Sequence, residues 1–206
     1  MGLSANFALS ALALTISVFV PQGNAETIIN QTYTGSFPAV ITGTLPNQDS
    51  VLEESFTVTT TGDLTALTTS YATGGFQPNI TLYNSSGIAI ANQWATPPAG
   101  AKADPATGLT LDSYLSATSL AAGTYTLTLT DWALNQSATA TNLSDGFKSN
   151  FGNGVTFVDV QGNTRTGAYA LNLNLSTTTP EPATVLLLAP VMFVGWLFRK
   201  HLVSVR

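Results

Sequence analysis

Apolar and polar positions alternate in short runs along the middle of the chain. In Phe56-Thr57-Val58-Thr59, Ile80-Thr81-Leu82-Tyr83, Tyr125-Thr126-Leu127-Thr128-Leu129-Thr130 and Tyr169-Ala170-Leu171-Asn172-Leu173-Asn174-Leu175, every second side chain is apolar and most of the others are Thr or Asn. A period of two places one side of each run on a core and the other on water, as in half-buried antiparallel strands. Turn residues fall between the runs, at Thr61-Gly62-Asp63, Asn84-Ser85-Ser86-Gly87 and Ala121-Ala122-Gly123, and no segment between the two ends sustains a 3.6 period. The pattern predicts an all-β domain of eight or nine strands, folded as an antiparallel, jelly-roll-like two-sheet sandwich over residues 26–179. Thr, at 32 of 206 residues, suits such strands because it is β-branched yet wettable. Two long stretches break the regularity, Asn92 to Gly108 and Asp131 to Gly154, both rich in Pro, Gly, Asn and Ser. Loops of that length on a sandwich often carry function.

The two ends follow a different pattern. From Phe7 to Val20 the chain is almost wholly apolar or small, Pro21-Gln22 stops the run, and Gly23 and Ala25 occupy the −3 and −1 positions of a cut before Glu26. This reads as a secretory signal peptide over residues 1–25, in which the terminal amine alone supplies positive charge. At the other end Pro180-Glu181-Pro182 precedes an apolar run over residues 183–198, followed by Arg199-Lys200 and a tail to residue 206. Sixteen helical residues reach roughly 24 Å against a hydrocarbon core of about 30 Å, so Trp196 and snorkelling Arg199 and Lys200 must complete the span. The basic residues keep the tail cytoplasmic and leave Pro180-Glu181-Pro182 on the exported side. So short a span suits a temporary hold.

In order and chemistry, Pro180, Glu181 and Pro182, the hydrophobic helix and the basic pair Arg199-Lys200 resemble the PEP-CTERM sorting signal of Gram-negative bacteria. That resemblance implies a partner, an exosortase-type membrane transpeptidase that removes the helix. It also implies passage through the inner membrane, a transient anchor there, and then the cell surface or the exopolysaccharide matrix. A second resemblance lies in Gly74-Gly75-Phe76-Gln77-Pro78-Asn79-Ile80-Thr81-Leu82-Tyr83-Asn84-Ser85-Ser86-Gly87 and in Leu120-Ala121-Ala122-Gly123-Thr124-Tyr125-Thr126-Leu127. These segments look like the bacterial pre-peptidase C-terminal (PPC-like) sandwich, and the likeness extends over roughly residues 36 to 175. It implies a non-catalytic module of a secreted protein. Some relatives bind calcium, and the turn that is often acidic in them is here Asn47-Gln48-Asp49.

Composition narrows the chemistry. There is no Cys, and the one His, His201, lies six residues from the end. Disulfide scaffolds, thiol nucleophiles, Ser-His-Asp triads and multi-histidine metal sites are thereby excluded from the exported part. Between Glu26 and Thr179 stand 10 acidic residues and 3 basic ones, a balance of 3 − 10 = −7, which repels nucleic acid. Carboxylates are then the available acid/base groups. Glu53, Glu54, Asp104, Asp112, Asp131 and Asp145 could pair for glycoside hydrolysis, but nothing in their spacing selects two. Asp104, Asp112 and Asp145 flank the long loops and could supply hard oxygen ligands to one Ca²⁺, otherwise no cofactor is implied. Trp94 and Trp132 could stack on sugar rings or plug the end of the core. The favoured reading is an exported, non-catalytic protein of the surface or exopolysaccharide matrix; the alternative is a secreted glycan-processing enzyme using two Asp/Glu carboxylates.

Overall fold

The computed structural model describes residues 27–94, 96–132, 134–136, 141–149 and 156–177. The expected cleavage residues Gly23, Ala25 and Glu26, the motif Pro180-Glu181-Pro182, the apolar run 183–198 and Arg199-Lys200 lie outside them. Among the described residues no helix is long and apolar enough to cross a membrane. These residues form β1 (Thr27–Thr32), β2 (Ala39–Thr44), β3 (Ser50–Val58), β4 (Gly62–Thr68), β5 (Pro78–Tyr83), β6 (Ala89–Trp94), β7 (Tyr114–Leu120), β8 (Gly123–Asp131), β9 (Leu134–Gln136), β10 (Phe147–Ser149) and β11 (Ala168–Thr177). Two single 3₁₀ turns, Tyr71–Thr73 and Leu143–Asp145, are the only helical pieces among them.

Nine strands make the two layers, one sheet in the order β1-β3-β8-β5-β6 and the other β2-β11-β4-β7, while β9 and β10 pair apart. The all-β two-sheet sandwich is therefore what the chain forms. The pairing is antiparallel throughout except at one edge, where β1 runs parallel to β3 with Thr27 opposite Ser50 and Gln31 opposite Glu54. Chain path explains this departure from the expected antiparallel sheets. After β1 the chain crosses to the second sheet for β2 and returns for β3, and two reversals bring β3 back alongside β1 in the same direction.

Alternation decides which side chains meet between the layers. Tyr125, Leu127 and Leu129 of β8 face Tyr169, Leu171 and Leu173 of β11 within one core that also takes in Leu52, Phe56, Leu64, Ile80, Leu82 and Leu115. Each such side chain removed from water contributes about 1.5–3 kcal/mol. β5 departs from the half-buried pattern, since all six of its residues are buried. Its polar positions Asn79 and Thr81 lie on the outer face, where Asn92 Nδ2 donates to Asn79 Oδ1 (3.1 Å) and to Thr81 Oγ1 (2.5 Å). A second small cluster of Val51, Phe147 and Leu143 sits outside the main core.

The turns obey local chemistry. Between β5 and β6, Asn84 Oδ1 accepts from the backbone N–H of Ser86 and Ile88, both at 3.0 Å. Gly87 there has φ +73°, a left-handed conformation that favours glycine. The two ends of the sandwich differ. One gathers the 45–50 turn, the 3₁₀ turn at Tyr71–Thr73, the loop between β6 and β7 and the segment leading into β11. The other carries the short turns, the 141–146 segment, whose Leu143 N–H donates to Gly87 O (2.7 Å), and Thr177, which pairs with Gly62.

Candidate functional site

Arg165 organises the loop-rich end. It is the only Arg between residues 26 and 179, it is 8% exposed, and it lies three residues before β11. Its backbone N–H donates to Phe157 O (2.8 Å). Its Nε donates to Gly75 O (2.9 Å), Nη1 to Asp104 Oδ2 (2.5 Å) and Nη2 to Tyr71 O. The guanidinium carbon stands 3.9 Å above the centre of the Tyr71 ring, a cation–π stack. One planar group with donors in a fixed fork thus ties the β6–β7 loop to the 71–75 segment.

Asp104, Asp112 and Asp159 each accept from donors of the fold. Asp104 also accepts from Ala106 N–H and Thr107 Oγ1, both at 3.1 Å, and the bond from Arg165 leads in holding its carboxyl below the usual range. Asp159 is 1% exposed. It accepts from Tyr71 OH (2.7 Å), from the backbone N–H of Gln161 and Asn163 (both 2.9 Å) and from Asn163 Nδ2. Burial pushes the Asp159 carboxyl up, but the donors from Tyr71, Asn163 and Gln161 outweigh it and leave it depressed. Tyr71 is driven the other way, to about 12, by burial first and by its bond to Asp159 second. Asp112 Oδ1 accepts from Thr68 Oγ1 (2.9 Å) and Tyr71 N–H (3.2 Å), and burial raises its pKa.

Beside this network a groove of about 470 Å³ opens between the end of β4 and the β6–β7 loop, with Leu67, Thr69, Ala72, Pro98, Lys102 and Asp112 among its lining. Lys102 is exposed. Two hydroxyls keep spare capacity: Thr69 Oγ1 accepts from Asn172 Nδ2 (3.2 Å), leaving its O–H to donate, and Thr73 Oγ1 donates to Ser70 O (2.9 Å), leaving its lone pairs to accept.

The other expected residues lie elsewhere. Asp145 caps its own 3₁₀ turn, accepting from Asn142 N–H (3.1 Å). Among the described residues no three His, Asp or Glu side chains gather where an ion could sit: Asp104 lies with Arg165 at the loop-rich end, whereas Asp145 lies in the 143–145 turn beside Gly87. Successive positions on β3 send Glu53 and Glu54 to opposite faces, so these two cannot act as a pair. Asp131 is fully buried at the end of β8. Trp132 is half-buried, with its backbone N–H donating to Gln77 O (2.9 Å) and its indole Nε1 to Val158 O (2.7 Å), so it ties the end of β8 to the segment before β11. Trp94 ends β6 opposite Asn79; its side chain lies outside what is described. Sequence reasoning missed Tyr71, Asp159 and Arg165. A solitary Arg in an acidic domain and the turn Asp159-Val160-Gln161-Gly162-Asn163 were the available signals.

No protein-family profile matches the chain, and no curated protein matches it. Several solved structures are similar in backbone, two of them as follows. One is PliG of Aeromonas hydrophila, a periplasmic inhibitor of g-type lysozyme, at 10% identity and a TM-score of 0.37 over 74% of this chain and 100% of that one. The other is the pre-peptidase C-terminal domain of a Bacillus anthracis collagenase, at 12% identity and a TM-score of 0.35 over 76% of this chain and 99% of that one. Likeness at that level leaves activity open.

Proposed function

We propose that this chain is an exported, non-catalytic protein of the cell surface or exopolysaccharide matrix, sorted through its C-terminal Pro180-Glu181-Pro182 signal by an exosortase-type transpeptidase. The observation that carries the non-catalytic reading is the commitment of Asp104, Asp112 and Asp159 to donors of the fold. General acid/base work needs a carboxyl free to face a substrate, whereas Asp104, Asp112 and Asp159 each hold the fold together. The path of β11 supports the surface reading. It starts beside the Arg165 network and ends at Thr177 next to Gly62; its ten residues span about 30 Å. A tail leaving Thr177 would hold the protein by the end opposite the β6–β7 loop and the Arg165 network. The groove by Lys102 would then face outward, offering apolar walls, spare hydroxyls and a cation to the matrix.

Protein purified from the cell surface should sediment with the exopolysaccharide of its own cells and release no reducing ends from it. Filling the groove with Ala72→Trp should cut that retention severalfold while the melting temperature holds. Reducing ends that vanish on changing a single Asp or Glu would instead establish the glycan-processing alternative.

A further inference from the structure

Glu54 occupies a position where the alternation of β3 calls for an apolar residue. Leu52, Phe56 and Val58, on the same side of the strand, belong to the core. Glu54 itself is 2% exposed, and its Oε2 has no hydrogen-bond partner. Its neighbours within the sheet are Gln31 of β1 and Leu127 of β8. From the facing sheet comes Tyr169 of β11, whose hydroxyl is pushed upward by burial first and by the Glu54 charge second, against a hydrogen bond with Gln31.

Charges around it offer no compensation. β1 and β2 carry no titratable side chain. On the inner face of β8, Tyr125 turns its hydroxyl to Ala121 O (2.9 Å) and Asp131 lies four residues beyond Leu127. Glu53 faces the opposite side of the sheet, and Arg165 is committed to Asp104 at the loop-rich end. A neutral acid is tolerable in such a place; a carboxylate requires water or a donor. The nearest route to water passes β1, the outermost strand of its sheet, which is half-buried over five of its six residues.

We propose that Glu54 is a pH-sensitive latch on the N-terminal strand: as a neutral acid it lets β1 close over the edge of β3, and as a carboxylate it loosens β1 and opens that edge of the sandwich. Burial drives its pKa to about 7, so the latch works in a range that surface surroundings cross. In the closed form Glu54 binds its proton up to about pH 7, whereas in the opened form it releases it near the ordinary value of 4.5. The closed state is therefore favoured at low pH. Opening becomes easier by about tenfold per pH unit between these values, at most about 300-fold in all, and levels off above pH 7.

Hydrogen exchange of the purified protein, corrected for the intrinsic pH dependence of amide exchange, reads this directly. The β1 amides that point toward β3 should show opening that rises between pH 5 and 7 and then stays level, while amides of β8 do not follow. Glu54→Gln should flatten the β1 profile, as should Glu54→Leu, which matches the neighbouring core residues and covers the case in which Gln alone unfolds the edge. Glu53→Gln should keep it. A flat profile in the unaltered protein, a slope that survives in Glu54→Gln, or β8 amides that open in step with β1 would each overturn the latch.

Discussion

Tyr71 shows how a residue with no obvious motif comes to hold a site. Its ring lies under Arg165, its backbone N–H donates to Asp112, and its hydroxyl donates to Asp159. Tyr71→Phe keeps the ring and removes the last of these bonds, leaving a buried carboxylate short of a donor. The variant should lose about 1.5–3 kcal/mol of stability at neutral pH. Because the Asp159 carboxyl is depressed, its contribution is present above the ordinary carboxylate pKa and disappears as pH falls through the folded value. The gap between variant and parent should therefore be widest above about pH 4 and close in stronger acid. Urea titrations at several pH values measure it, and a gap that is constant with pH would place the bond elsewhere. None of this partnership was legible beforehand. Asp104 and Arg165 stand 61 positions apart, and Tyr71 and Asp159 stand 88 apart, so composition reveals the acids but not which of them a lone Arg will claim.

Elements were more legible where one face is dry and the other wet. The alternations read at residues 125–130 and 169–175 lie within β8 and β11, the central strands through which each sheet is joined. β1 escaped notice because Thr-Ile-Ile-Asn-Gln-Thr does not alternate cleanly, and an outermost strand is under less demand to do so. β9 and β10, three residues each, are too short for a period to show. Close approach was invisible as well. At Gly167, just before β11, a Cβ would stand 2.0 Å from Leu45 O and 2.8 Å from the Phe157 ring, and Leu45 N–H donates to Gly167 O at 2.9 Å. Gly167→Ala should cost about 1–3 kcal/mol by forcing these segments apart, seen as a lower melting temperature. An unchanged melt would mean that the contact yields at no cost.

At the scale of the whole molecule, the two ends of the sandwich differ. Its loop-rich end holds a buried polar network, with Asp104, Asp112 and Asp159 turned onto donors, and a groove beside it. Its other end releases the chain at Thr177 toward the Pro180-Glu181-Pro182 motif, the apolar run and the basic pair. Net acidity, with the buried Arg165 spent on Asp104, leaves Lys102 as an uncommon positive point on the described surface and gives the groove its polarity. On the proposed function, the chain would be delivered and held by the end that carries Thr177. Intact-mass spectrometry of the protein recovered from the surface fraction of cells that carry an exosortase tests this most directly. The account predicts a chain that begins near Glu26 and ends before the 183–198 run. A surface form that still carries residues 183–206 would contradict it.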